Sequence, residues 1–456
     1  MGDVTTLAII GASGDLAARL LLPALGELLR DEPGRRVRLV GAGSSGMDDA
    51  HWRSRVEDAF GSADARDALD RVELGGYLEV DATTADGLRE IMGAAEGGSL
   101  VLYFAVPPQV TGAACAALSP DDLPDGVVFA LEKPFGTDRA SAEHLDEVLH
   151  GLLPETSIFR VDHFLGRSTV LNVIGARVAN RLFEPIWSAE DVESVEIRFD
   201  ESLGLEGRAG YYDHAGALVD MIQSHLLQVL AIVAMEPPAT LGEVDLRDAT
   251  AAVLRATRIR HDDPVRHSRR ARYTAGSIDG RQLPSYVDED GVDPANRTET
   301  LAELVCEVRT ARWVGVPFTL RSGKALADPA TEIVVRLRPV RHLPAGMTGD
   351  PAGAVLRFSL GPDRLSVAIN VNGGEDPFEL HRAELEAELG LGAQRAYAEV
   401  LGAILDGDPA LTVRGDAAEE CWRIVEPALD AWRHGKVPLD EYPAGSRGPS
   451  DWPDER

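Results

Sequence analysis

Cysteine is scarce in this chain: Cys115, Cys306 and Cys421 stand far apart among 456 residues. An odd, scattered set excludes a disulfide framework and any Cys-x-x-Cys metal site, and it fits a reducing compartment. Long apolar runs are missing too. The longest, Leu226 to Met235, is interrupted by Gln228 and falls short of the roughly 18 residues a bilayer-spanning helix needs. Basic charge is in deficit, with 45 Lys and Arg against 75 Asp and Glu and a formal charge of −30. That argues against a nucleic-acid partner, because phosphate neutralisation needs a basic surface. An anionic substrate would have to be met by a local basic cluster. No basic leader precedes the first apolar stretch. Met1, Gly2 and Thr6 match a loose myristoylation pattern, set aside because Thr5 to Ile10 reads as a buried strand. The expectation is a cytoplasmic protein with neither membrane nor nucleic acid as partner.

What is present is ordinary for a globular enzyme: 44% hydrophobic and 26% charged residues. The length calls for two domains. Short apolar strands at Leu7 to Ile10, Val37 to Val40, Ser99 to Val106 and Val127 to Leu131 are separated by helical stretches such as Leu20 to Arg30. That alternation predicts a parallel sheet with crossover helices. After about residue 160 the texture changes. Ser194 to Asp200, Ile333 to Arg338, Ala354 to Leu360 and Leu365 to Val371 alternate as half-exposed antiparallel strands do. Helices are expected over Ala215 to Met235 and near Gly392 to Leu405. Arg260 to Asn296 reads as a polar surface excursion, and the tail from Pro438 as poorly ordered.

Between the first strand and first helix lies Gly11-Ala12-Ser13-Gly14-Asp15-Leu16-Ala17. Glycine at such a turn lets backbone N–H groups approach a pyrophosphate, which the helix N-terminus also attracts. A glycine pattern alone is weak, and the strand-turn-helix context strengthens it. Elsewhere the residues taken singly are undecided. His225, among Leu226, Leu227 and Leu230, fits a hydrogen-bonded core residue as well as a catalytic one. Lys133, Glu201, Asp220 and Lys324 each fit a solvated charge. On an ideal α-helix Asp220 and His225 are about 140° apart, so spacing gives no reason to join them on one ligand. His261, Asp262, Asp263 and His267 lack a fixed element to hold a metal, and none is expected.

Five blocks in order resemble the glucose-6-phosphate dehydrogenase family. They are Gly11 to Ala17, Glu132-Lys-Pro-Phe-Gly-Thr-Asp138, Arg160-Val-Asp-His-Phe-Leu-Gly-Arg167 with Ala179 to Trp187, Gly207 to Asp213 leading to Asp220-Met-Ile-Gln-Ser-His-Leu-Leu-Gln228, and Val316 to Lys324. The resemblance covers nearly the whole chain. It implies a Rossmann-type dinucleotide-binding domain over residues 1–161 and a larger α+β domain over 162–456, mainly antiparallel, for substrate binding and oligomerisation. It also implies oxidation of D-glucose 6-phosphate at C1 to 6-phospho-D-glucono-1,5-lactone, as in the oxidative pentose phosphate pathway, with hydride passing to NADP or NAD. A homodimer or homotetramer is implied as well.

Residue by residue, the resemblance assigns His225 as the base and Asp162 as the carboxylate that orients it, with Lys133 steadying charge at the reacting end of the sugar. His163, Phe164 and Arg167 fall at the sugar phosphate. Glu201, Asp220 and Lys324 fall at other substrate contacts. Gly11, Ala12, Ser13, Gly14, Asp15, Leu16, Ser44, Pro107 and Lys133 fall at the cofactor. Two departures stand out. The family usually reads Asp-His-Tyr-Leu-Gly-Lys where this chain has Phe164 and Arg167, so a hydroxyl is lost and a planar guanidinium replaces an ammonium. The arginine that commonly grips an NADP 2′-phosphate is replaced by Ser44, with no carboxylate there to favour NAD. The expectation is therefore use of both cofactors within about a hundredfold, the span of one charge-assisted contact, unless Arg19 or Arg53 reaches the site. Two rivals remain: the same mechanism on another aldose, and a non-catalytic sensor of dinucleotide redox state.

Overall fold

The computed structural model describes residues 4–95, 98–361, 363–374, 376–389 and 395–452. Two compact units result. The first comprises Met1–Arg167 with Pro238–Asp248 and Gln394–Glu419; the second comprises Ser168–Pro237, Ala249–Ala393 and Glu420–Arg456. One cut after residue 161 does not describe this division, because the chain returns to the first unit twice.

In the first unit the strands are β1 (Thr5–Ile10), β2 (Val37–Gly43), β3 (Val72–Glu79), β4 (Leu100–Phe104), β5 (Val128–Glu132) and β6 (Ile158–Val161). They form one sheet in the order β3-β2-β1-β4-β5-β6, parallel at every pairing. All five residues of β4 are buried, as befits a strand covered on both faces. The helices α1 (Leu22–Asp31), α2 (Asp49–Ser62), α3 (Ala85–Gly93), α4 (Pro108–Ala116) and α5 (Arg139–Leu152) fall between strands. Leu21, Leu25 and Leu29 share a core with Trp52 and Phe60 of α2 and with Val400, Leu401 and Ile404 from the returning helix Arg395–Asp406. The expected helix near residue 392 thus starts at Arg395, and residues 392–394 lie outside the described residues. β2 outruns the expected Val40 because Gly41 is a close-packing position: a Cβ there would come within 3.0 Å of the Trp52 and Tyr77 rings. β3 and β6 escaped the sequence, one holding two glycines and the other only four residues long.

The second unit holds β7 (Val192–Asp200), β8 (Thr257–Ile259), β9 (Ser268–Thr274), the hairpin β10 (Gly276–Ile278) and β11 (Arg281–Leu283), β12 (Leu301–Val308), β13 (Pro317–Gly323), β14 (Ala330–Leu337), β15 (Val355–Leu360), β16 (Asp363–Asn372), β17 (Leu380–Glu388) and β18 (Leu439–Pro443). Its large sheet runs β17-β16-β15-β14-β7-β13-β12-β9-β18, with β8 beside β12. Pairing is antiparallel except at β7–β13 and β18–β9. Two expectations are corrected here. The excursion from Arg260 contributes β9 to this sheet. The tail supplies β18, whose Tyr442 is fully buried with its hydroxyl on the Lys324 carbonyl (2.7 Å). Alternation was too short in both places to register as strand.

The expected helix from Ala215 begins at Ala209 and is broken at Gly216 (φ 67°, ψ 177°). From Leu218 to Leu226 it is a π-helix, and from Leu227 to Ala234 an α-helix. Ala209–Ala234 is long and apolar enough to cross a membrane, yet 83% of its most apolar window is buried inside the protein, as in a core helix.

Candidate functional site

In the first unit every predicted site residue follows the carboxyl end of a strand. The glycine turn follows β1, Ser44 follows β2, Pro107 lies three residues past β4, Lys133 follows β5, and Asp162 to Arg167 follow β6. Because strands are registered, these ends are neighbours: Ile10 lies beside Ala42 and Phe104, Phe104 beside Leu131, and Glu132 beside Val161. Ligands of open parallel sheets bind along this edge, at the point where strand order reverses, here between β1 and β4.

The turn after β1 fits a pyrophosphate. Gly11 has φ 88°, and a Cβ there would run into the Ala105 carbonyl. Gly14 N–H bonds Gly11 O (2.9 Å), which curls the turn into a helix that is π-helical over Ala17–Leu21. Ser13 Oγ lies 2.7 Å from Ser45 Oγ, and Ser44 is exposed. Arg19 is engaged loosely with Asp15 (3.9 Å), both exposed, and Arg53 is exposed. The arginine on the turn is instead Arg55, donating to Ser13 O and Gly14 O at 2.7 Å each.

Lys133 precedes Pro134 in a cis peptide. Beside it, burial pushes Glu132 up to about 7, against the downward pull of the Tyr103 hydroxyl bond (2.5 Å) and of Lys133. Asp162 is buried, and its Oδ1 accepts the Phe164 N–H (2.9 Å), folding the segment into a tight turn. His163 stacks on Tyr397 (4.9 Å, 15°) and meets Phe164 edge-on (5.1 Å). The Arg167 guanidinium sits 4.3 Å over the Phe164 ring centroid. Phe164 is thus a platform for Arg167, a cation–π contact. Gly166 lets the Ala396 carbonyl close in, where a Cβ would collide with it. His163, Phe164 and Arg167 therefore form one local, partly basic cluster.

In the second unit Glu201 follows β7 and Lys324 follows β13, and since these strands are parallel with Asp200 beside Gly323, the two residues end adjacent. Lys324 Nζ meets Glu201 Oε2 at 2.6 Å and lies 5.1 Å from the Tyr212 ring centroid. Asp220 and His225 both fall in the π-helical segment. There N–H groups reach five residues back, as Leu227 N–H does to Ile222 O, so residues five apart stack on one side. The α-helical angle assumed from sequence does not apply, and π-geometry puts the two residues on the same side of the segment. His225 is 1% exposed and Asp220 half-buried. Gly216 opens the segment: a Cβ would strike Glu299, whose Oε1 takes the Leu218 N–H (3.0 Å). Burial pushes Glu299 up to about 7.

Three contributors went unnoticed in the sequence. Arg55 flanks the buried Trp52–Val56–Ala59 stripe of α2, a placement that helical periodicity reveals. Glu132 opens the Glu132 to Asp138 block without having been given a role, and Tyr397 carries no motif signal, so only tertiary packing exposes it.

A parallel sheet with a glycine turn opening its first helix and polar groups aligned on its carboxyl edge defines a dinucleotide-binding oxidoreductase. A model of the glucose-6-phosphate dehydrogenase NAD binding domain matches residues 8–172, and one of the C-terminal domain matches residues 174–454. The chain belongs to the glucose-6-phosphate dehydrogenase family. It is similar to glucose-6-phosphate 1-dehydrogenase of Gluconobacter oxydans, 39% identical over 97% of this chain and 94% of the relative. The enzyme of Mycolicibacterium smegmatis is 36% identical over 98% and 95%. A solved glucose-6-phosphate dehydrogenase bound to glucose 6-phosphate shares 28% identity with TM-score 0.86 over 98% of this chain and 96% of that one.

Proposed function

We propose that this chain oxidises D-glucose 6-phosphate at C1, passing hydride to NADP or NAD and releasing 6-phospho-D-glucono-1,5-lactone. It is an NAD(P)-dependent oxidoreductase acting on a CH–OH group. The observation that carries the reading is the alignment of all nine predicted cofactor positions and the His163–Arg167 cluster along one carboxyl edge. A basic cluster there meets the requirement that a chain of charge −30 attract an anionic sugar locally.

In this reading the dinucleotide supplies the hydride acceptor, held by residues 11–16 with Ser44, Pro107 and Lys133. His225 takes the C1 hydroxyl proton as hydride leaves, and Asp162 keeps its ring in one tautomer. Lys133 steadies charge at O1. His163 and Arg167 hold the phosphate, with Phe164 supporting Arg167 from beneath. Asp220 and the Glu201–Lys324 pair supply acceptors and donors for sugar hydroxyls. The placement of Asp220 and His225 on one side of the π-helical segment supports their sharing one ligand. We further place the enzyme in the cytoplasm as a homodimer or homotetramer formed through the large sheet, whose outer strands expose Val371 and Leu385 (39% and 60%).

The test is a steady-state assay with glucose 6-phosphate, galactose 6-phosphate and glucose, each with both cofactors. Glucose 6-phosphate should give the highest kcat/KM. A higher value for another sugar would move the substrate assignment, and no reduction with any sugar would favour the dinucleotide sensor.

A further inference from the structure

A carboxyl group that the reaction above leaves unused stands at the carboxyl end of β5. Glu132 pairs with Val161 of β6, so the next residues along the two strands are Lys133 and Asp162. On the neighbouring strand Tyr103 lies beside Ala130, two residues before Glu132 and hence on the same face. Its hydroxyl donates to Glu132 Oε1 at 2.5 Å. That face is otherwise apolar. Tyr103, Ala130, Phe159 and Val161 share a core with Val400 and Leu401 of the returning helix, and Tyr397 packs against it. A carboxyl group at the end of an apolar layer is costly to ionise, and burial pushes Glu132 up to about 7. The Tyr103 bond and Lys133 pull it down, while Asp162 pushes it up. Tyr397 feels its charge as well.

We propose that Glu132, as a carboxylate, is a positioning residue that keeps the Lys133 ammonium charged and aimed at the sugar C1 oxygen. Glu132 and Lys133 are both half-buried, and an ammonium that has lost part of its water is favoured by a negative charge beside it. Tyr103 ties that charge to the sheet, so it is held by a strand end and not by a mobile loop. A proton on Glu132 removes the charge and with it the hold on Lys133. The inference rests on the dehydrogenase reading of Lys133 and adds to it a group that touches neither sugar nor proton.

The rival role of Glu132 is a brace for the end of β5. The ratio of kcat for wild type to kcat for Glu132→Gln, followed over pH with saturating glucose 6-phosphate and cofactor, separates the two. Gln keeps an acceptor for the Tyr103 hydroxyl and removes the charge, and titration of His225 cancels in the ratio. The ratio should be roughly tenfold above about pH 8, the worth of one unit of charge stabilisation. It should fall towards one as Glu132 takes up its proton, with a midpoint of about 7, while KM for glucose 6-phosphate stays within about twofold. A ratio of one throughout overturns the inference, and a loss equal at every pH makes Glu132 a brace and overturns it too. In a Tyr103→Phe background the midpoint should move to higher pH, because a bond favouring the carboxylate is gone. An unmoved midpoint assigns the titration to another group and overturns the inference. No reduction by wild type at any pH would overturn the dehydrogenase reading itself, and the inference with it.

Discussion

The two units place their proposed functional groups by different means. In the first, each group is the residue or turn that ends a parallel strand, so a strand and a short motif locate it. In the second, Glu201 and Lys324 obey the same rule at the β7–β13 pair, while Asp220 and His225 sit inside a buried apolar helix. There the backbone itself departs from α-geometry. A π-turn is rare and is found frequently at functional sites, so the irregularity is a second pointer to these positions beside residue type. The first unit has the same device directly after its glycine turn.

The comparison is tested most severely at His225. Replacing it by Asn should lower kcat by roughly two to four orders of magnitude, the range for losing a general base, with little change in binding of glucose 6-phosphate. On the proposed roles Asp162→Asn should act in the same direction, and the double variant should cost far less than the product of the singles, as for groups that act as one. Steady-state kinetics decide it; a kcat within a few-fold of wild type removes His225 from the chemistry.

Next in size is Arg167→Ala. A charge-assisted contact to phosphate contributes about 1.5–3 kcal/mol, so KM for glucose 6-phosphate should rise roughly tenfold to a hundredfold while that for glucose moves little. Equal shifts for both sugars would mean that Arg167 does not read the phosphate.

How much of this was legible follows the same divide. The parallel sheet and the turn at Gly11 could be read because apolar strands, glycines and a helix start lie in sequence order. Ser44 and Arg55 show the limit: absence of the usual arginine was visible, and its spatial neighbour was not, because β2 and α2 meet the turn only through tertiary packing. Asp220 and His225 were misjudged in angle because sequence periodicity assumes 3.6 residues per turn. β9 and β18 were read as surface and tail because their burial comes from each other and from β12, which no local pattern records.

Gly216 tests whether the π-segment depends on its entry. Its φ and ψ lie where only glycine is comfortable, and Glu299 fills the space a side chain would need. Gly216→Ala should cost about 2 kcal/mol or more and lower Tm by several degrees. An unchanged Tm in a melting curve would show that the segment tolerates another entry.

The smallest effect concerns pH. Glu299 binds its proton more tightly folded, at about 7, than unfolded, at about 4.3. Its stabilising contribution is therefore complete below about pH 4.3 and is lost as pH rises through 7. Glu299→Gln keeps the acceptor for Leu218 N–H and removes that slope, so Tm at pH 8 should rise by about 1 °C relative to wild type, with no gain at pH 4. Parallel Tm curves for both proteins would contradict the sign or the burial argument.

The central claim is that hydride leaves C1 of glucose 6-phosphate for the dinucleotide. Glucose 6-phosphate deuterated at C1 tests it directly, by mass spectrometry of the reduced cofactor after one turnover. The account predicts that the deuterium moves into the nicotinamide ring and that a C2-deuterated substrate gives unlabelled cofactor. Retention of the C1 label in the sugar, or transfer from another carbon, would contradict it.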